Sequence, residues 1–152
     1  MKAGNPTRGR RRAGSILGEF ALGSGVLLAL FGGTFRLGYT FLQYNKLEIA
    51  AAQGARFAAL VPYDSSTTTP SAAFLASVRN MVLYGSPSGG SSPVLPALTA
   101  QNVVLTVVFK NGVPHAMTVS ISGFTIDAVF GHVTLSSKPR ASFPYQGIWA
   151  PL

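Results

Sequence analysis

The chain has no cysteine, and its 152 residues include only four acids, Glu19, Glu48, Asp64 and Asp127. Without thiols it forms no disulfide, no thiolate metal site and no cysteine nucleophile, so its fold must be held by core burial or by packing against neighbours. Histidine is equally scarce: His115 and His132 are the only two, and at that separation they make no metal site without further ligands. Acid–base chemistry needs positioned titratable groups. Beyond residue 60 only Asp64, Asp127, His115 and His132 could supply them. There is no G-x-S-x-G elbow, no P-loop, and no G-x-G-x-x-G between a strand and a helix. His115 at a hairpin end and His132 beside Gly131 read as surface residues. The expectation is a non-enzymatic protein with no catalytic residue, no metal and no cofactor.

Charge of either sign is sparse, at 11% of residues, against roughly 25% in an average soluble domain. What there is lies unevenly. Of the twelve Lys and Arg, five (Lys2, Arg8, Arg10, Arg11 and Arg12) fall in the first twelve residues, with no acid among them. A net charge of +8 raises the question of nucleic acid, since phosphate neutralisation dominates such binding. Past residue 60, however, Arg79, Lys110, Lys138 and Arg140 are widely spread and form no basic face. No nucleic-acid partner is expected.

The cations instead introduce a hydrophobic run. Residues 1–14 (MKAGNPTRGRRRAG) are polar, without apolar periodicity, and read as a disordered cationic leader on the cytoplasmic side. Residues 15–35 (SILGEFALGSGVLLALFGGTF) carry one charge, Glu19. As a helix rising about 1.5 Å per residue, they span on the order of 30 Å, the thickness of a bilayer's hydrocarbon core. The glycines at 18, 23, 25, 32 and 33 would weaken a helix in water but allow close helix approach in lipid. A cleaved secretory signal and a soluble core helix are the alternatives. The first normally has a shorter apolar core ending at a small-x-small site, and the second is not normally preceded by RGRRR. The cation excess before the span favours a cytoplasmic N-terminus and an exported C-terminal part.

Helical spacing continues beyond the span. Leu37, Phe41, Tyr44, Leu47, Ala51, Ala55 and Ala58 form a stripe, interrupted by Glu48, until Pro62 and DSSTTTPS break it. Residues 15–60 therefore read as one long helix, half in lipid and half outside. Residues 61–101 form a linker with a short helix over 71–84, followed by the flexible GSPSGGSSP. Residues 102–152 are β-rich. Val103, Leu105, Val107 and Phe109 alternate with polar or outward residues, as do Met117, Val119 and Ile121. Asn111-Gly112 between them signals a hairpin, although Pro114 forbids a minimal two-residue loop. Val133 and Leu135 suggest a third strand, and the Pro-rich tail PRASFPYQGIWAPL reads as irregular. The fold class is α+β: a long transmembrane helix extending out of the membrane, then a short helix and an antiparallel sheet of about three strands.

Glu19 is the informative side chain. A carboxylate in a span costs about 2–3 kcal/mol at mid-bilayer and less near an interface. It either rests at headgroup level beside Arg12 or lipid, or it has a specific partner. Its spacing favours the second reading. Gly14 closes the basic leader and Glu19 is the fifth residue after it, an arrangement that resembles the prepilin-type signal. In that signal an intramembrane peptidase cuts after the glycine, here creating an ammonium on Ser15 that Glu19 of the same or a neighbouring chain could neutralise.

Two stretches then carry a family resemblance, RGRRRAGSILGEFAL and LEIAAAQGARFAAL. Together with the β-rich C-terminal region, they make the chain similar to TadE-like proteins, pseudopilins of Tad (Flp-type) pilus systems. Gly18 departs from the family pattern, where a bulkier residue is common. The resemblance implies cleavage between Gly14 and Ser15, Glu19 as the signal glutamate, and a helix motif on Gly54, Ala55 and Arg56. It further implies a prepilin peptidase and other Tad pilus subunits and assembly proteins as partners, a single-pass location in the bacterial inner membrane, and a part in pilus assembly. Whether such a chain enters the pilus stays open. The competing expectation is an uncleaved, membrane-anchored periplasmic or extracellular binding domain unrelated to pili.

Overall fold

A computed structural model of the chain describes residues 7–128 and 131–150, with side chains from Ser15 onward. All five of the leader's cationic side chains therefore lie outside those described. The chain divides into two compact units, Met1–Tyr39 and Thr40–Leu152.

The first unit is helical throughout its described part and belongs to α1 (Thr7–Leu60). The helix is described from Thr7, inside the leader, and not from residue 15. Arginine and alanine are good helix formers, and the isolated Gly9 and Gly14 cost only about 1 kcal/mol each against a helix already propagating. Its apolar side chains, Leu17, Phe20, Leu28 and Phe35 among them, are all exposed. Two hydroxyls of the apolar stretch bond to the helix's own carbonyls: Ser24 Oγ donates to the Phe20 carbonyl at 2.6 Å and Thr34 Oγ1 to the Leu30 carbonyl at 2.9 Å. That is how a polar side chain is tolerated where water is absent. The stretch Ser15–Leu60 is long and apolar enough to cross a membrane.

The second unit contains the end of α1, then α2 (Ala72–Tyr84), a 3-10 turn (Ala100–Asn102) and five strands. These are β1 (Val103–Lys110), β2 (Val113–Ile121), β3 (Thr125–Ala128), β4 (Gly131–Thr134) and β5 (Arg140–Pro144). The architecture is α+β, with a three-stranded antiparallel sheet in the order β1-β2-β5. Ser71 caps α2, its hydroxyl accepting from the Phe74 N–H at 3.1 Å while donating to Asp64 Oδ2 at 2.5 Å. Gly85, at φ 69°, closes the helix in the left-handed conformation that a side chain disfavours.

The core forms where α1, α2 and one face of the sheet meet. Leu47, Ala51, Ala55 and Ala58 come from α1, Phe74, Val78 and Val82 from α2, and Val103, Val107, Met117 and Val119 from the sheet. The predicted stripe on α1 is thus real from Tyr44 onward, whereas Leu37 and Phe41 are exposed and Glu48 points away from the core. On β2 the polar alternates Thr118 and Ser120 are buried too, because β2 is the central strand. Thr118 Oγ1 donates to Ser142 Oγ at 2.9 Å across to β5.

Three expectations for the sheet need correction. The hairpin does use a two-residue loop, with Asn111 and Gly112 at φ 55° and 79°, the signs a twist-matched hairpin turn requires. Pro114 is accommodated by a bulge: Phe109 pairs with Pro114 and Val108 with Ala116, so His115 is left over. The third strand is β5, drawn from the tail read as irregular. The segment around Val133 instead pairs with β3 in a separate two-stranded hairpin.

Candidate processing and assembly site

Gly14 and Ser15 lie within α1, with Glu19 one turn further on. A helix brings residues i and i+4 to one face, and Ser15 Oγ reaches Glu19 Oε1 at 3.4 Å with both side chains exposed. The Gly14 environment lies outside the described side chains. Around Gly18, Gly23, Gly25, Gly32 and Gly33 no atom would lie within 4 Å of an added Cβ, so their backbone is open to close approach.

Gly54, Ala55 and Arg56 belong to the other unit, and each has a distinct packing position. A Cβ on Gly54 would sit 2.2 Å from Val82 Cγ2 and 3.8 Å from the Val78 carbonyl. The glycine is what lets α1 approach α2. Ala55 is fully buried in the core. Arg56 remains exposed and lays its guanidinium over the Phe143 ring, 5.4 Å from the centroid. That contact ties α1 to β5.

The scarce titratable groups do not converge. Asp127 and His132 face each other across β3 and β4, with Oδ1 and Nδ1 at 2.5 Å, and both are exposed. Asp64 serves the α2 cap, and His115 sits exposed at the β2 bulge. Among the described residues no three His, Cys, Asp or Glu side chains gather at one point.

A feature missing from the sequence reading closes the end of α1. The Ala59 carbonyl accepts from the Gln146 and Gly147 N–H groups at 2.8 and 3.0 Å. Tyr63 pairs with Trp149 in a parallel bridge, Trp149 Nε1 donates to the Ser65 carbonyl at 3.1 Å, and the Tyr145 hydroxyl accepts from the Tyr63 N–H at 2.8 Å. Burial pushes the Tyr63 phenol above its ordinary value, with the Ser65 hydrogen bond opposing and the Asp64 charge reinforcing the rise. Burial likewise raises Tyr145, against the opposing bond from Tyr63. The aromatic Y-Q-G-I-W within the tail was the available signal.

Comparison with known families bears on the α1 residues. Residues 14–56 match the TadE-like protein family. The TadE-like stretch begins at the last leader glycine, takes in Glu19, and ends at Arg56, so it covers both groups of residues singled out above while leaving the sheet outside. No curated protein and no solved structure shows a significant match to the chain. That match and the stretch Ser15–Leu60, long and apolar enough to cross a membrane, together fit a membrane-anchored protein.

Proposed function

We propose that the protein is a minor pilin or pseudopilin that takes part in assembling a Tad pilus, matured by a prepilin peptidase cutting between Gly14 and Ser15. It is held in the inner membrane by α1, with the basic leader cytoplasmic and the α+β unit exported. It acts by packing beside other subunits and catalyses nothing itself. The observation that carries this reading is the spacing of Gly14, Ser15 and Glu19 at the start of an exposed apolar helix within a TadE-like stretch.

Local chemistry supports it. Cleavage would leave a new α-ammonium on Ser15, four residues from Glu19, on a face where the Ser15 side chain already approaches the carboxylate. Glu19 would then lie near the first turn of the mature helix, where a negative charge is favoured by the unpaired N–H groups. In lipid neither charge is stable alone, so the pair, within one chain or between neighbours, would set how far adjacent helices slide along one another. Mass spectrometry of the protein from cells that contain the peptidase tests the reading. A mature chain beginning at Ser15 is the expected result; a retained leader would leave only a tethered domain.

A further inference from the structure

The exported half of α1 presents a second seam, opposite its core face. Leu42, Lys46, Ile49, Gln53, Arg56 and Leu60 follow one another at alternating intervals of four and three, and all six are exposed. Leu42, Ile49 and Leu60 are 49%, 59% and 56% accessible, unusual for large apolar side chains at regular intervals. An alternating four-three spacing is the pattern by which one helix packs along another. In sequence it continues the seven-residue series Ala21, Leu28, Phe35 of the apolar stretch. The far end is also concave: a groove of about 360 Å³ lies between Arg56, Leu60 and the end of α2 at Met81 and Gly85. A second groove, of about 220 Å³, lies between the same two residues and β5 at Phe143 and Pro144.

Charge decides between occupants. The seam holds Lys46 and Arg56 and no acid, and neither cation is in an ion pair among the described residues. Two copies inserted with the same orientation run parallel, so pairing seam to seam would set Lys46 against Lys46 and Arg56 against Arg56 at the most enclosed positions. Like charges there disfavour the pair, whereas carboxylates opposite them would favour it and fix the register. We propose that this seam docks the helix of a different membrane-anchored subunit, one with apolar residues at the same spacing and carboxylates facing Lys46 and Arg56.

The proposal rests on the pilin-like reading only in taking α1 as a helix that packs beside others. It is tested with the full chain in zwitterionic lipid nanodiscs and two synthetic helical peptides. Both carry leucines at the seam spacing; one has glutamate and the other lysine opposite Lys46 and Arg56. The glutamate peptide should bind about tenfold more tightly, and the preference should invert in the Lys46→Glu, Arg56→Glu double variant. Equal binding of both peptides, or binding unaffected by Ile49→Asp, would overturn it. So would oxidation of an Ile49→Cys variant in cells to a disulfide dimer of twice the chain mass. A retained leader would remove the pilin reading without touching the peptide result.

Discussion

Gly54 on α1 and Val82 on α2 are in such close apposition that a methyl group on the glycine would overlap the valine side chain, its Cβ 2.2 Å from Cγ2. Gly54, inside the stretch that matches the TadE-like family, is therefore a point of close contact between the two helices. Gly54→Ala should destabilise the α+β unit by about 1–3 kcal/mol, the usual cost of overpacking a dense core. The propensity gain of alanine, about 1 kcal/mol, offsets only part of this. Thermal unfolding checks the loss, and the double variant with Val82→Ala should recover much of it, because contacting residues couple. Independent, additive effects would refute the contact as the cause.

The α2 cap offers a second test. Ser71→Ala removes both the acceptor for the Phe74 N–H and the donor to Asp64. The expected loss is about 1–2 kcal/mol, measurable by urea denaturation. Ser71→Asp keeps an acceptor but places a second carboxylate beside Asp64, so it should rescue poorly at neutral pH and better under acid conditions. Full rescue at neutral pH would mean that the Asp64 contact contributes nothing.

Tyr63 and Tyr145 link the tail to the end of α1, and burial raises both phenols above the ordinary value of 10.0. A raised folded-state value means that the neutral form is favoured by the fold. The associated stability is complete below pH 10 and is lost as pH climbs through the raised values. An alkaline limb of unfolding should appear above about pH 10, and Tyr145→Phe should flatten it. At neutral pH the same variant should cost about 1 kcal/mol, since the Tyr63 N–H keeps its bond to the Ile148 carbonyl. An unchanged alkaline limb in the variant would show that Tyr145 does not contribute to it.

Under the proposed function, processing and assembly are separable through Gly14 and Glu19. Replacing Gly14 with a bulky residue should block leader removal, read as an unshifted mass. Glu19→Ala should leave membrane insertion intact or slightly improved, because a charge costs free energy in lipid. It should nevertheless weaken assembly strongly, because breaking a buried ion pair costs about 3–5 kcal/mol. Protease accessibility reports insertion and filament recovery reports assembly. Equal filament yield with and without Glu19 would remove the charge-pairing idea.

Much of the fold was readable from pattern because local rules act without knowledge of the rest. The apolar length of α1, the alanine face from Leu47 to Ala58 and the Asn111-Gly112 turn each follow from neighbours a few residues apart. Where the reading went astray, a distant partner had decided the outcome. Pro114 looked incompatible with a tight hairpin because a bulge at His115 cannot be seen in composition. The tail looked irregular because Arg140–Pro144, although it alternates, is short and bounded by Pro139 and Pro144, and it becomes a strand only by pairing with β2.

The residues alone determined that one helix is long and apolar enough for a bilayer, that chemistry has few groups to work with, and that Glu19 stands five places after Gly14. Spacing along a chain is sufficient for each, since rise per residue and side-chain charge do not depend on context. The tertiary structure decided why Gly54 must be a glycine, which strand completes the sheet, and which face of α1 is left uncovered. Those depend on how closely separate segments approach, and close approach is settled by packing at atomic contact, which no one-dimensional pattern encodes.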